Sequence, residues 1–144
     1  MIMVIMTVIT KTISFQTKGN ADMIDITSQV QDVLSSTGVD SGIVTVFVPG
    51  STASVSTIEY EPGLLKDFPR AMDKLAPAGA HYDHDARWGD GNGHSHVRAT
   101  MMGPGLVIPF ESRRLLLGTW QQIVLIDFDN RPRARSVIVQ VMGE

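Results

Sequence analysis

The sequence predicts an α+β fold, with mostly antiparallel sheets and two or three inserted helices. Stretches rich in β-branched residues recur along the chain and are joined by short turns. Helical spacing of apolar residues appears in only two or three places, whereas regular alternation of strand and helix would predict a parallel sheet. The chain has 144 residues, the usual size of one domain. We therefore expect residues 1–144 to form a single domain.

Strands are predicted where Val, Ile and Thr cluster. The first, Val4 to Thr17, is one long strand or a bent pair. The others are expected at residues 42–49, 106–110, 115–119, 123–128 and 136–141. A run of small hydroxylated residues, Ser51 to Ser56, follows the second of these strands.

Helices are predicted from Asp25 or Thr27 to Gly38, from Leu64 to Leu75, and from His94 to Met102. Pro69 lacks a backbone N–H, so we expect the second helix to break near Asp67. Residues 81–93 alternate glycine with Asp and Asn, a pattern typical of a loop.

Composition excludes several kinds of site. The chain has no cysteine, which rules out disulfides, thiolate zinc sites and a catalytic thiol. The net charge of -3 argues against a nucleic-acid partner. The apolar start, Met1 to Ile9, lacks the basic region of a signal peptide and is too short to span a bilayer. We expect a buried strand there, no membrane partner and a cytoplasmic location.

The four histidines of the chain are His81, His84, His94 and His96. In a cysteine-free chain, such clustering is typical of a divalent metal site completed by a carboxylate. Asp83, Asp85 and Asp90 are the nearby candidates. Residues two apart on a regular helix point in different directions, so His94 and His96 would share a site only from an extended segment. Structural hydrogen bonding in a polar loop is the alternative.

Two segments are candidates for binding an anion. Ser51 and Thr52 follow a strand, where backbone N–H groups can be presented to phosphate. Arg131, Arg133 and Arg135 alternate, which places them on one side of an extended segment. An exposed, solvated turn is the alternative for the arginines.

Trp120 and Gln121 lie in an unusual Gly-Thr-Trp-Gln run at a strand junction. The pair forms either the wall of a pocket or a core tryptophan with an amide that satisfies local backbone groups.

A series of short motifs from about Met6 to Glu144 resembles, in content and in order, the motifs of one known family. They are Ser51-Thr52-Ala53-Ser54 with Glu59, Glu61-Pro62-Gly63-Leu64-Leu65, Tyr82-Asp83-His84, Gly91-Asn92, Ser95-His96, Gly103-Pro104, Ile108-Pro109, Leu117-Gly118-Thr119-Trp120-Gln121, Asp127-Phe128-Asp129 with Arg131, Arg133 and Arg135, and Gly143-Glu144. The chain resembles the YjbQ-like proteins, a family named for secondary thiamine-phosphate synthase activity. The Leu-Gly-Thr-Trp-Gln element is the most specific part of the resemblance.

The resemblance implies a small α+β fold built on sandwiched sheets, and a homotrimer with pockets at or near subunit interfaces. It also implies a site where three histidines hold a divalent metal, often zinc, beside a small anion. His84 and His96 occupy two of the histidine positions, and this chain has Gly50 at the third. We hypothesise that His94 replaces the missing imidazole. Magnesium is the alternative metal if the substrate is a diphosphate.

The implied activity joins a hydroxymethylpyrimidine diphosphate to a thiazole phosphate and releases pyrophosphate. We expect Arg131, Arg133 and the Ser51-Thr52 loop to donate hydrogen bonds to the phosphate groups. Glu59 would act as a base or hold an imidazole in one tautomer, and Asn92 would orient the substrate. The alternatives are a non-catalytic protein that binds a metal or a small phosphate-bearing ligand, and an oligomeric scaffold with structural histidines.

Overall fold

The computed structural model describes residues 1–144 as eight strands and four helices. The strands are β1 (Thr7–Thr17), β2 (Asp22–Asp25), β3 (Gly42–Phe47), β4 (Ala53–Ile58), β5 (Gly105–Glu111), β6 (Arg114–Leu115), β7 (Gln122–Asp127) and β8 (Arg133–Gly143). The helices are α1 (Thr27–Thr37), α2 (Leu64–Leu75), α3 (Asp83–Trp88) and α4 (Gly93–Met102).

The strands form two antiparallel sheets. The larger has the order β1-β8-β3-β5-β6 and the smaller the order β2-β7-β4. β1 pairs with β8 along its whole length, from Thr7 opposite Gly143 to Thr17 opposite Arg133. The predicted α+β class with antiparallel sheets is confirmed, although the helices number four rather than two or three.

The smaller sheet is covered on both faces, and its central strand shows this most clearly. Ile123 and Leu125 belong to a core cluster shared with the larger sheet and α1. Val124 and Ile126 point the other way, into a second cluster with Met72 of α2. A strand buried on both faces is apolar at nearly every position. The core therefore has two layers, with β7 between them.

Several predicted element boundaries are corrected by the structure. β1 begins at Thr7 rather than at Val4, and the strand expected at residues 115–119 shrinks to the two residues of β6. β2 was not predicted, because its four residues begin and end with aspartate. It forms only because β7 offers it an edge to pair with.

The predicted break in α2 is wrong. The helix continues from Leu64 to Leu75 with Pro69 inside it. Proline in a helix removes one hydrogen bond, here the bond to the carbonyl of Leu65. The apolar side of the helix packs on the second core cluster through Phe68 and Met72, which holds the two halves in line.

The predicted loop at residues 81–93 contains α3. Tyr82 precedes the helix in an extended conformation, and Asp83 and Asp85 supply negative charge to its first turn, which stabilises a helix N-terminus. Gly89 ends it with a φ of 66°. None of the four helices combines the length and the apolar character that crossing a membrane would need.

Candidate functional site

Two short helices bring two of the four histidines together. α3 carries His84 and α4 carries His96. Their imidazole rings lie with centroids 4.4 Å apart and planes tilted by 41°. The turn around Gly89 and Gly91, both with positive φ, reverses the chain between the helices. The predicted histidine cluster is therefore present for this pair.

Two carboxylates complete a donor set around His84. The Nδ1 atom of His84 lies 3.4 Å from Oδ1 of Asp85 and 3.4 Å from Oδ1 of Asp90. The three ligand atoms all lie within 4.8 Å of one another. Donors on a tetrahedral zinc ion with bonds of about 2.0–2.1 Å are separated by roughly 3.3 Å. One imidazole and two carboxylates at this spacing fit a divalent cation.

The carboxylate of Asp85 is fixed in place by the start of α4. The backbone N–H of Gly93 donates to Oδ1 of Asp85 at 2.7 Å. Burial opposes ionisation of Asp85, but the Gly93 hydrogen bond and the His84 ring outweigh it and lower the pKa of this carboxyl. Asp85 is therefore an anion over the range in which a metal would be bound.

His94 is not part of the donor set around His84. Both His94 and His96 are on the regular helix α4, where residues two apart are rotated by about 200°. The His94 ring is buried, lies 6.4 Å from the ring of Tyr82, and its Nδ1 atom has no hydrogen-bond partner. Burial, followed by the charge of Arg98, lowers the pKa of His94. Asp85 and Asp90, rather than His94, are grouped with His84.

Three of the predicted ligand-binding side chains converge on one buried carboxylate, Asp129. Its Oδ2 atom accepts hydrogen bonds from Thr52 Oγ1 at 3.0 Å and from Asn92 Nδ2 at 3.1 Å. Arg133 Nη2 lies 3.0 Å from the same oxygen. Burial raises the pKa of Asp129, but the bonds from Arg133, Asn92 and Thr52 outweigh it and lower the pKa overall. Thr52, Asn92 and Arg133 are thus engaged inside the protein.

A second buried carboxylate, Asp127, pairs with Arg135. Arg135 Nε lies 2.7 Å from Oδ2 of Asp127, and Arg135 Nη2 also donates to Thr52 Oγ1 at 2.6 Å. The hydrogen bonds to Asp127 raise the pKa of Arg135. Thr17 at the end of β1 donates to Asp127 at 2.6 Å. The charges of Arg133 and Arg135 are therefore balanced by Asp129 and Asp127.

A cavity of about 340 Å³ lies beside His96 and is also lined by Gly50 and Ser51. A Cβ atom at Gly50 would lie 3.0 Å from Nη1 of Arg135. Ser51 and Arg131 are exposed, and Arg131 makes no ion pair. Gly50, which stands where the family resemblance implies a histidine, thus opens onto the same space as His96.

Glu59, Trp120 and Gln121 lie at the other end of the sheet. Thr52 precedes β4 and Glu59 follows it, and this strand has six residues, so the two ends are roughly 20 Å apart. Gln121 Nε2 donates to Thr57 Oγ1 at 3.3 Å. Trp120 is 73% exposed, which excludes the core-tryptophan alternative. A single chain does not bring these residues to the histidines.

Asp127 and Asp129 are the residues that sequence reasoning did not assign a role. The signal for them was available: two aspartates flank Phe128 at the end of an apolar run, and buried carboxylates require partners. His81 and Asp83, by contrast, form an exposed pair at 3.2 Å outside the site.

Comparison with known proteins agrees with the fold and the motifs. A UPF0047 protein from Archaeoglobus fulgidus is 40% identical over 130 residues, which are 90% of this chain and 98% of that protein. UPF0047 protein YugU from Bacillus subtilis is 34% identical over 135 residues, covering 92% and 98% of the two chains.

A solved structure gives the same result. A YbjQ-like protein of unknown function from Sulfolobus solfataricus matches with a TM-score of 0.91 and 32% identity, over 96% of this chain and 99% of the other. The family model described as UPF0047 protein YjbQ-like matches residues 11–144. The chain therefore belongs to the YjbQ-like UPF0047 family, the family that its motifs resemble.

Proposed function

We propose that this protein binds a divalent cation, zinc first and magnesium as the alternative, and uses it to hold a phosphate-bearing ligand. The observation that supports this most directly is the spacing of His84 Nδ1 from Asp85 and Asp90, 3.4 Å to each. His96 stands beside this donor set as a further imidazole.

The balance of charge favours a cation at this place. Asp85 and Asp90 bring two carboxylates to one imidazole. Three arginines of the chain are already paired with carboxylates: Arg98 with Asp73, Arg133 with Asp129 and Arg135 with Asp127. Carboxylates gathered without a cation repel one another. A bound divalent ion would remove this repulsion.

The pairing of the arginines with carboxylates also favours phosphate binding that is assisted by a metal ion. The charge of Arg133 is balanced by Asp129, and the Thr52 hydroxyl donates to the same carboxylate, so neither group adds net positive charge for an external anion. Ser51, which lines the cavity beside His96, and the exposed Arg131 remain available. A divalent cation supplies the missing positive charge when bound, because it neutralises phosphate oxygens.

The reaction we propose is of the thiamine-phosphate synthase type. The thiazole nitrogen would form a bond to the methylene carbon of the pyrimidine while the carbon–oxygen bond to the diphosphate breaks and pyrophosphate leaves. The attacking nitrogen carries no proton, so this bond change requires no general base. In this scheme His96 positions the substrates, and Ser51 and Arg131 hold phosphate.

We also propose the homotrimer that the family resemblance implies, located in the cytoplasm. The separation of Glu59, Trp120 and Gln121 from the histidines supports it, since a neighbouring copy could bring these residues to a shared pocket. Trp120, which is largely exposed, is a suitable side chain for such a contact.

Metal content tests the proposal. Untagged protein purified without chelators should carry about one divalent ion per chain. His84→Ala should lose the ion, and Asp90→Asn should lower the metal affinity by more than the about 10–100-fold that loss of a merely supporting residue costs. His81→Ala is the matched control, because His81 is exposed and lies outside the donor set. Absence of metal from the wild type, or equal content in all four proteins, would contradict the proposal.

A non-catalytic binding protein is the second candidate. It is favoured by the engagement of Thr52, Asn92 and Arg133 with Asp129, which leaves few groups free to act on a substrate. Thiamine phosphate formation from the two substrates, dependent on His84 and abolished by a chelator, would support the enzyme. Metal-dependent binding of pyrophosphate without turnover would support the binding protein.

A further inference from the structure

Asp90 is the least enclosed member of the donor set around His84. Its side chain is 47% exposed, against 24% for that of Asp85. Asp90 lies in the segment between α3 and α4, and the glycines on both sides of it have positive φ. Glycine backbone has many alternative conformations when nothing restrains it. The segment therefore needs contacts from the rest of the chain to keep the Asp90 carboxylate 3.4 Å from Nδ1 of His84.

Asn130, in the turn between β7 and β8, makes one of these contacts. Its Nδ2 atom donates to the backbone carbonyl of Asp90 at 2.8 Å. The two residues are 40 apart in sequence, so this hydrogen bond ties the segment between α3 and α4 to the end of the smaller sheet. The Asn130 amide also lies against the neighbouring glycine, because a Cβ atom at Gly91 would be 3.8 Å from Nδ2 of Asn130.

Asn92 makes the second contact. Its backbone N–H donates at 3.2 Å to Oδ1 of Asp90, the same oxygen that lies 3.4 Å from His84. The Asn92 side chain is buried. Its Oδ1 atom accepts from the backbone N–H of Asn130 at 3.1 Å, and its Nδ2 atom donates to Asp129 at 3.1 Å. Both ends of this amide are therefore held, and the backbone of Asn92 is held with them.

The far end of this chain of hydrogen bonds is anchored in the protein interior. Asp129 is fully buried, and its Oδ2 atom also accepts from Thr52 Oγ1 at 3.0 Å and lies 3.0 Å from Nη2 of Arg133. A carboxylate with three partners and no exposed surface has little freedom to move. The path from Asp129 through Asn92 to Asp90 thus connects an exposed carboxylate to a fixed buried one.

We propose that Asn130 is a positioning residue for the metal site, which keeps the Asp90 carboxylate beside His84 by holding the segment between α3 and α4. A ligand that is already ordered loses less conformational freedom when an ion binds, so binding is tighter. Residues that orient a metal ligand contribute about 10–100-fold to affinity. The inference rests on the proposed function, since positioning Asp90 has this effect only if the donor set holds an ion.

The location of Asn130 makes it suitable for substitution. The residue is exposed and its φ is not positive, so alanine fits there without backbone strain. Asn130→Ala keeps the backbone N–H that donates to Asn92. It removes the amide that holds the Asp90 carbonyl. The variant therefore tests this one hydrogen bond in a folded protein.

Zinc affinity, measured by calorimetric titration of metal-free protein, tests the role. Asn130→Ala should bind zinc about 10-fold more weakly than the wild type, or more weakly still. Gln140→Ala is the control, because it also loses one exposed amide hydrogen bond, from Nε2 to Thr10 Oγ1 at 3.0 Å. The two variants should lose similar stability without metal, and Gln140→Ala should bind zinc normally. Wild-type zinc affinity in Asn130→Ala would overturn the inference and leave metal binding itself intact.

A second background separates positioning from general support of the fold. Asp90→Ala removes the carboxylate but keeps the carbonyl that Asn130 binds. Adding Asn130→Ala to this variant should still lower its stability, yet it should leave the residual zinc affinity of His84 and Asp85 unchanged, because no carboxylate remains to be positioned. NMR titration of the His84 ring protons at millimolar zinc measures that affinity.

A further loss of affinity in the Asp90→Ala background, as large as the loss in the wild-type background, would overturn the inference. It would show that Asn130 supports the site as a whole and does not act through Asp90. A wild-type protein that binds no zinc in the calorimetric titration would overturn both the positioning role and the proposed function.

Discussion

The rings of His84 and His96 lie with their centroids 4.4 Å apart, although one belongs to α3 and the other to α4. This contact depends on the reversal of the chain between the helices. It also depends on Asp85, which accepts a hydrogen bond from the first residue of α4 at 2.7 Å. Asp85 therefore has two roles: it holds α3 against the start of α4, and it is a proposed metal ligand. Helix packing and metal binding should respond together.

Gly93→Ala should disturb the packing and the metal site at once. A Cβ atom at Gly93 would lie 2.5 Å from Cβ of Tyr82, which is closer than two non-bonded carbon atoms can approach. We expect a loss of about 1–3 kcal/mol in the free energy of unfolding, together with reduced metal content. Gly79→Ala is the control, because nothing lies within 4 Å of a Cβ there. Denaturant unfolding and metal analysis of both variants measure the two effects, and equal behaviour of the pair would contradict the account.

Gly50→His should tighten metal binding. Gly50 lines the same cavity as His96, and it stands where the family resemblance implies an imidazole. We expect the affinity for zinc to rise about tenfold or more, because one further nitrogen ligand would be added. Calorimetric titration of metal-free protein measures it.

The introduced side chain must also displace the Arg135 guanidinium, which lies 3.0 Å from the new Cβ. Gly50→Ala has the same backbone restriction and the same contact without the imidazole, so it isolates the effect of the ligand. An equal zinc affinity in the two variants would mean that residue 50 does not face the metal.

Asp127→Asn should strongly destabilise the protein. The side chain is fully buried and paired with Arg135 at 2.7 Å, and removing one partner of a buried pair costs about 3–5 kcal/mol. Asp40→Asn is the control, since its pair with Arg113 has the same 2.7 Å separation but is largely exposed. Exposed pairs contribute about 0.2–1 kcal/mol. Urea unfolding distinguishes the two, and a loss for Asp127→Asn as small as that for Asp40→Asn would show that the buried pair contributes little.

Acid should destabilise the metal-free protein partly through His94. Burial and the charge of Arg98 lower the pKa of His94 below its ordinary value of 6.5, so the unfolded chain takes up the proton first. This contribution to stability is complete above the unfolded-state pKa and is lost as the pH falls from there through the folded-state pKa. Urea unfolding in the presence of a chelator, on both sides of pH 6.5, measures the slope.

His94→Gln should flatten that slope, whereas His81→Gln should leave it unchanged because His81 is exposed. A slope that is identical in wild type and His94→Gln would show that this histidine is not the group that titrates. The buried Nδ1 atom of His94 has no hydrogen-bond partner, so glutamine at this position breaks no hydrogen bond of that atom.

The fold was largely predictable because local pattern decides most of it. β-branched runs mark β1, β3 and β8, and the apolar run Ile123–Ile126 marks a strand covered on both faces. The helix α3 was not predictable in this way. Its six residues are polar or exposed, and its ends depend on the contacts of Tyr82 and Gly93, which belong to tertiary packing.

The site was predictable only in outline. Clustering of the histidines indicated the region, and the period of a helix already separated His94 from His96. Which carboxylates stand beside His84 depends on the turn at Gly89, and no local pattern specifies its direction. The engagement of Thr52, Asn92 and Arg133 with Asp129 is a long-range arrangement, so these residues looked free in the sequence.

Locating a bound zinc ion is the most direct test of whether His84, Asp85 and Asp90 hold a metal. Crystals of the protein grown with zinc would be measured on both sides of the zinc absorption edge, and an anomalous difference map would be computed. We expect one peak within bonding distance of Nδ1 of His84 and of the carboxylates of Asp85 and Asp90. A peak bonded to His94, or no peak near His84 at saturating zinc, would contradict it.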